Sequence, residues 1–175
     1  PERGIISPGM FLPEMENTDL INQLTYWVLE KAISDLREWE ERGLPLNVSI
    51  NISAHNLKHY RFISEIGRIV NENPGYSSLV EMEITETEIM EDYSKIKHIL
   101  KILINKGFTL SIDDFGTGYS SLAYLNHLPV EIIKIDQSFM RNMTESSGGR
   151  VIVYAAIRMA HALGKKVIAE GVETL

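Results

Sequence analysis

Residues Phe108–Asp136 read FTLSIDDFGTGYSSLAYLNHLPVEIIKID. The two ends of this stretch, FTLSID (Phe108–Asp113) and VEIIKID (Val130–Asp136), are short apolar runs that stop at carboxylates, the pattern of strands. Between them lie a Gly-punctuated loop, Phe115–Ser121, and a short helical segment, Ser121–Leu128. A strand, a helix and a second strand in about 30 residues make the parallel βαβ unit, because a parallel partner needs a crossover rather than a tight turn.

The alternation continues on both sides. Upstream, LVEMEIT (Leu79–Thr85) reads as a strand and leads to the helical stripe Ile96, Ile99, Leu100, Leu103, ended by Gly107. Before it, LNVSINI (Leu46–Ile52) reads as a strand and Phe62–Val70 as a helix, stopped by Asn73-Pro74-Gly75. A long helix precedes these, capped by Thr18 or Asp19, with Leu20, Leu24, Trp27, Val28, Leu36 and Trp39 at helical spacing, and ended by Gly43 and Pro45. Pro1–Pro13 reads as loop. Downstream, Val151–Leu163 is a helix ended by Gly164, and VIAE (Val167–Glu170) begins a fifth strand.

This pattern predicts an α/β fold, either an open doubly wound sheet or a (β/α)₈ barrel. A closed barrel needs eight strands. On that reading the sequence holds about five of them, and its opening on Pro1 rather than Met points to a piece of a longer chain.

Composition narrows the function. The 175 residues are 44 % hydrophobic and 23 % charged, enough for one folded domain and too apolar for a disordered chain. No apolar run approaches the roughly 18 residues of a membrane span, and no signal peptide opens the chain. The expected setting is therefore the cytoplasm, without membrane contact. A net charge of −7 argues against DNA or RNA as partners. The absence of cysteine removes disulfides, thiolate chemistry and Cys-type zinc sites.

The strands share a further feature: each ends in a group that can bind a metal or carry a proton. The first presents Asn51. The second presents Glu83, with Glu86 beyond it. The third ends at Asp113-Asp114, the fourth carries Lys134 with Asp136 two residues on, and the fifth ends at Glu170 with Glu173 after it. Any one of these could be a helix cap or a turn former. Lys134 inside an apolar strand needs an anionic partner, and two adjacent carboxylates facing one site need a cation. Sites in parallel α/β folds form at the C-terminal ends of strands. An all-oxygen donor set suits Mg²⁺ or Mn²⁺, and two such ions about 3.5–4 Å apart clamp both oxygens of a phosphoryl transfer. The residues thus point to metal-assisted hydrolysis of a phosphate ester. The loop Phe115–Ser121 (FGTGYSS) lacks the third Gly of a dinucleotide fingerprint and the Lys of a P-loop.

The successive segments Asn51-Ile52-Ser53, Glu83-Ile84-Thr85-Glu86, Asp113–Ser121 (DDFGTGYSS), Lys134-Ile135-Asp136 and Ala169–Thr174 (AEGVET) resemble, in order, the motifs of the EAL-domain family of bacterial cyclic di-GMP phosphodiesterases. The early segment Ile5–Ile21 and Trp27-Val28-Leu29 look like that family too. The resemblance spans residues 1–175, read as a partial EAL domain. It implies a modified (β/α)₈ TIM-like barrel that hydrolyses cyclic di-GMP to linear pGpG with Mg²⁺ or Mn²⁺. By the same resemblance Asn51, Glu83, Asp113 and Asp114 are metal ligands, and Lys134 contacts the water held by the metal. Glu170 is the general base, or that water's partner beside the second metal. Glu86 anchors the Gly-rich loop with its Gly116 and Gly118, and Glu173 supports the site. The Glu-Ala-Leu signature and the late Gln-Gly-Tyr segment of the family do not occur in the sequence. The alternatives are a non-catalytic cyclic di-GMP receptor and a truncated, weakly active or inactive fragment. Two open sheet edges add the expectation of a homodimer, and the family adds a fused sensor or GGDEF domain.

Overall fold

Five parallel strands form one sheet: β1 (Val48–Asn51), β2 (Val80–Thr85), β3 (Thr109–Phe115), β4 (Ile132–Ile135) and β5 (Lys166–Ala169), hydrogen-bonded in that order. This computed structural model describes residues 4–16, 18–116, 122–145 and 147–172. Each crossover steps to the next position in the same direction. A doubly wound sheet reverses at a switch point, and this sheet has none. Of the two architectures that the sequence allows, the strands therefore trace an arc of a TIM-like barrel.

The connecting elements follow from local chemistry. After the short α1 (Leu12–Met15), Thr18 accepts the N–H of Leu20 and starts α2 (Asp19–Glu41). The buried stripe of α2 is Ile21, Thr25, Leu29, Ala32, Ile33 and Leu36. Then come α3 (Ala54–Lys58), α4 (Phe62–Glu72), α5 (Glu86–Glu91) and α6 (Tyr93–Asn105). The remaining helices are α7 (Leu122–Leu125), α8 (Gln137–Glu145) and α9 (Ser147–Ala162). Periodicity does not reveal α3 or α5, because five or six residues hold less than two helical turns. Their capping boxes do: Ser53 with Asn56, and Thr85 with Glu88, each satisfy donors that the helix leaves free. None of the described helices is long and apolar enough to cross a membrane.

Strand alternation divides the sheet into two faces. Val80, Met82, Ile84, Leu110, Ile112 and Ile133 point to the helices, where they share one core with Leu29, Phe62, Ile66 and Leu100. Full burial of each such side chain is worth about 1.5–3 kcal/mol. The opposite face carries Asn51, Glu83, Ser111 and Asp113 by the register of β1, β2 and β3. The sheet thus packs through one face and presents polar groups on the other.

Lys165 shows how the last strand is tied in. Its buried ammonium donates to the carbonyls of Leu128 (3.2 Å) and Val130 (2.8 Å). Burial depresses its pKa. The folded ammonium thus titrates below the unfolded value of about 10.4. Desolvation of the ammonium therefore offsets part of what its hydrogen bonds contribute, fully so below the folded pKa, and this penalty fades as pH rises through the window up to the unfolded value. Lys165→Met should cost about 1–3 kcal/mol near neutral pH, since two buried carbonyls lose their donor, and should remove that alkaline slope. Urea unfolding measured across the alkaline range checks both; equal stability of the two proteins at neutral pH would disprove the tie.

Candidate active site

The site is built on an irregularity in β3. Alternation alone would put Asp113 on the polar face and send Asp114 to the helices. Instead the pairing runs Ile112 to Ile133 and then Phe115 to Ile135, which leaves one extra residue on β3. This is a β-bulge. Asp114 takes the left-handed region at φ 51°, uncommon for a residue with a Cβ. Both carboxylates then face one place: oxygens of Asp113, Asp114 and Glu170 lie within 4.8 Å of one another. The strand accordingly runs on to Phe115, past the end that the sequence predicts at Asp113.

Lys134, on β4 opposite the bulge, sits among these acids. Its Nζ lies 2.6 Å from Glu170, 3.1 Å from Glu83 and 3.5 Å from Asp113, with the side chain 13 % exposed. Burial by itself lowers its pKa. Hydrogen bonds to Glu170 and Glu83 and the charge of Asp113 more than offset that, and the pKa ends above the usual lysine range. Asp114 is displaced upward as well, which for an acid disfavours the charged form. Burial first, then the charges of Asp113, Asp136 and Glu170, hold its carboxyl above the usual carboxylate range against the opposing pull of Lys134. Its own N–H donates to Asp113 Oδ1 at 3.0 Å.

Glu170 follows β5, where its N–H donates to the carbonyl of Ile135 at 3.1 Å. The chain then turns at Gly171 (φ 68°), where a Cβ would fall 2.7 Å from that of Gln137. Asn51, at the end of β1, stands in register with Glu83 and so belongs to the same face. Asp136 serves the backbone instead. Its carboxylate accepts from the N–H and hydroxyl of Ser138 at the start of α8. The Ser138 hydroxyl is the main reason its pKa lies below the usual carboxylate range. For this residue the cap reading holds.

Glu86, the first residue of α5, is 1 % exposed. Its Oε2 accepts the N–H of Gly116 at 2.9 Å, and its Oε1 accepts the Tyr124 hydroxyl. Gly116 has φ 103°, and a Cβ there would meet the Phe139 ring at 2.8 Å. Gly118 and Glu173 lie outside the described residues. Tyr124 and Phe139 are absent from the sequence-derived site. Tyr124 is 38 residues from Glu86, and nothing in a short apolar helix marks its hydroxyl as a partner.

The residues fit a divalent cation. The donors are carboxylate oxygens, the type preferred by hard ions, and three of them converge within one coordination sphere's reach. The upward push on Asp114 by its anionic neighbours is what a bound cation would relieve.

The EAL domain family matches residues 1–175. A cyclic di-GMP phosphodiesterase of Pseudomonas aeruginosa is 38 % identical over 174 residues, which cover 99 % of this chain and 30 % of that protein. The bifunctional diguanylate cyclase/cyclic di-GMP phosphodiesterase MucR of the same organism is 38 % identical over 175 residues, covering 99 % of this chain and 26 % of that protein. The chain thus spans less than a third of the length of either. Among solved structures, the PaMucR phosphodiesterase in its c-di-GMP complex superposes with a TM-score of 0.91 at 38 % identity, over 99 % of this chain and 71 % of that one.

Proposed function

Given that the chain belongs to the EAL domain family, we propose that residues 1–175 form part of an EAL domain whose activity is metal-dependent hydrolysis of cyclic di-GMP to linear pGpG. The observation that carries this reading is the convergence of Glu83, Asp113 and Glu170 on Lys134, with Asp114 brought in by the bulge. Asn51, Glu83, Asp113 and Asp114 would hold Mg²⁺ or Mn²⁺. When bound, the cation would supply Lewis acidity, lowering the pKa of water toward about 7 and polarising the phosphate.

The residues of the chain do the rest. Lys134 balances the carboxylates in the free protein and fixes the direction of Glu170 through their 2.6 Å contact. Glu170 accepts a proton from the attacking water at its carboxylate. One phosphorus–oxygen bond of the ring breaks, the hydroxide ends on phosphorus, and a proton ends on the ribose oxygen that leaves. Asp113 and Asp114, fixed by the bulge, would hold the cation and thereby offset the charge that the phosphate meets at the site. The test is the conversion of cyclic di-GMP to pGpG, followed by chromatography, with and without Mg²⁺ or Mn²⁺. Turnover that requires the cation is the expected result. Tight binding of cyclic di-GMP with no turnover under either cation would replace the reading with a receptor.

A further inference from the structure

We propose that Tyr124 is a positioning residue for the acidic centre, holding Asp114 in place through Glu86 and the Gly116 turn. The inference rests on the reading of Asp113, Asp114 and Glu170 as a cation site. The two oxygens of one buried carboxylate are divided between the two partners: Oε1 accepts the Tyr124 hydroxyl and Oε2 accepts the Gly116 N–H. Gly116 is two residues beyond Asp114, whose φ of 51° is uncommon for a residue with a Cβ, though aspartate adopts it more readily than most. Its surroundings therefore help to hold it there. The turn is bonded by Glu86, and the Phe139 ring lies close against Gly116. If Glu86 shifts, Gly116 is released and Asp114 relaxes out of the left-handed region. Its carboxylate then leaves the cluster.

The tyrosine is well placed for this role. Its residue is 7 % exposed. Its ring is met by Tyr93 edge-on at 6.1 Å between centroids, and the Tyr93 hydroxyl donates to its carbonyl at 3.3 Å. The ring is thus fixed at its backbone and its edge, and the hydroxyl is delivered to Glu86. Burial, and then the Glu86 contact, raise the phenol's pKa, so it stays a donor at any ordinary pH. Tyr124→Phe would keep the packing and remove only this contact.

The experiment compares the wild-type protein, Tyr124→Phe, Glu86→Gln and the double variant. It uses Mn²⁺ titration calorimetry, thermal unfolding, and NMR hydrogen exchange at the Gly116 amide in the metal-free state. A partner bonded directly to a metal ligand is worth about 10–100-fold in affinity. Tyr124 acts further out, through Glu86 and the Gly116 turn. Tyr124→Phe should therefore raise the Mn²⁺ dissociation constant by about the lower of these figures and speed exchange at Gly116, with the melting temperature lowered by the loss of one donor to a buried carboxylate. The double variant should be no weaker than Glu86→Gln alone, because both changes break one chain of contacts. A lower melting temperature with unchanged Mn²⁺ affinity and unchanged Gly116 exchange would reduce Tyr124 to packing and overturn the proposal, as would additive losses in the double variant. If the wild type itself binds no Mn²⁺, the cation reading fails. Gly116 exchange then decides Tyr124 alone, and wild-type exchange in the Phe variant overturns it.

Discussion

Glu170→Gln is expected to lower cyclic di-GMP turnover by about 10²–10⁴-fold, the usual contribution of a positioned general base. Gln keeps the shape and a carbonyl acceptor for Lys134, so binding of cyclic di-GMP should survive. The contrast is Asp113→Asn. It removes a charge from the carboxylate group itself, so it should raise the Mn²⁺ concentration needed for half-maximal rate, with recovery when Mn²⁺ is added. The measurement is turnover against Mn²⁺ for each variant, with ligand binding followed separately. If Glu170→Gln loses ligand binding and excess Mn²⁺ restores it, then Glu170 is a ligand and the roles are reversed. The geometry makes this a real contest, because Glu170 shares the 4.8 Å cluster with Asp113 and Asp114 and also bonds Lys134.

The second large effect concerns stability without metal. Lys134→Met should destabilise the metal-free protein by about 3–5 kcal/mol, since Glu83 and Asp113 are left buried or half-buried with no cation beside them. Asp114, already held above the usual carboxylate range against the pull of Lys134, loses that pull in the variant. A raised acid contributes stability that is present at low pH and lost as pH rises through its folded pKa. The deficit of Lys134→Met should accordingly shrink as the pH is lowered toward the ordinary carboxylate range of about 4. Mn²⁺ should also narrow the gap, because a ligand that binds only the folded state stabilises it by mass action. Melting curves at neutral and acid pH, with and without Mn²⁺, measure all of this. An unchanged melting temperature for metal-free Lys134→Met at neutral pH would mean that Lys134 does not hold the acids together.

Most of the site is legible in the sequence for one reason. A polar residue in an apolar strand must be reconciled with burial, and Lys134 in IIKID or Glu83 in VEMEIT advertises that conflict locally. The same logic does not reach Asp136, which occupies a similar place after the same strand and caps α8 through Ser138. A cap and a ligand use the same residue types, and only the direction of the side chain separates them.

The sequence by itself determined the parallel α/β arrangement, because strand and helix periods are local properties written in the spacing of apolar side chains. It also determined that thiolate donors are absent, since the chain has no cysteine, and that the polar strand ends carry oxygen donors. Tertiary structure decided the rest. The strand order β1 to β5 without reversal separated a barrel arc from a doubly wound sheet, and that is a matter of which edges pair. The bulge at Asp113–Asp114 was decided by register against β4, a strand that lies beyond the whole Gly-rich loop and α7 in the chain. The Glu86 contact to Tyr124 joins residues 38 apart. Long-range contacts of this kind depend on where the packed core places each element, and no local window of sequence contains them.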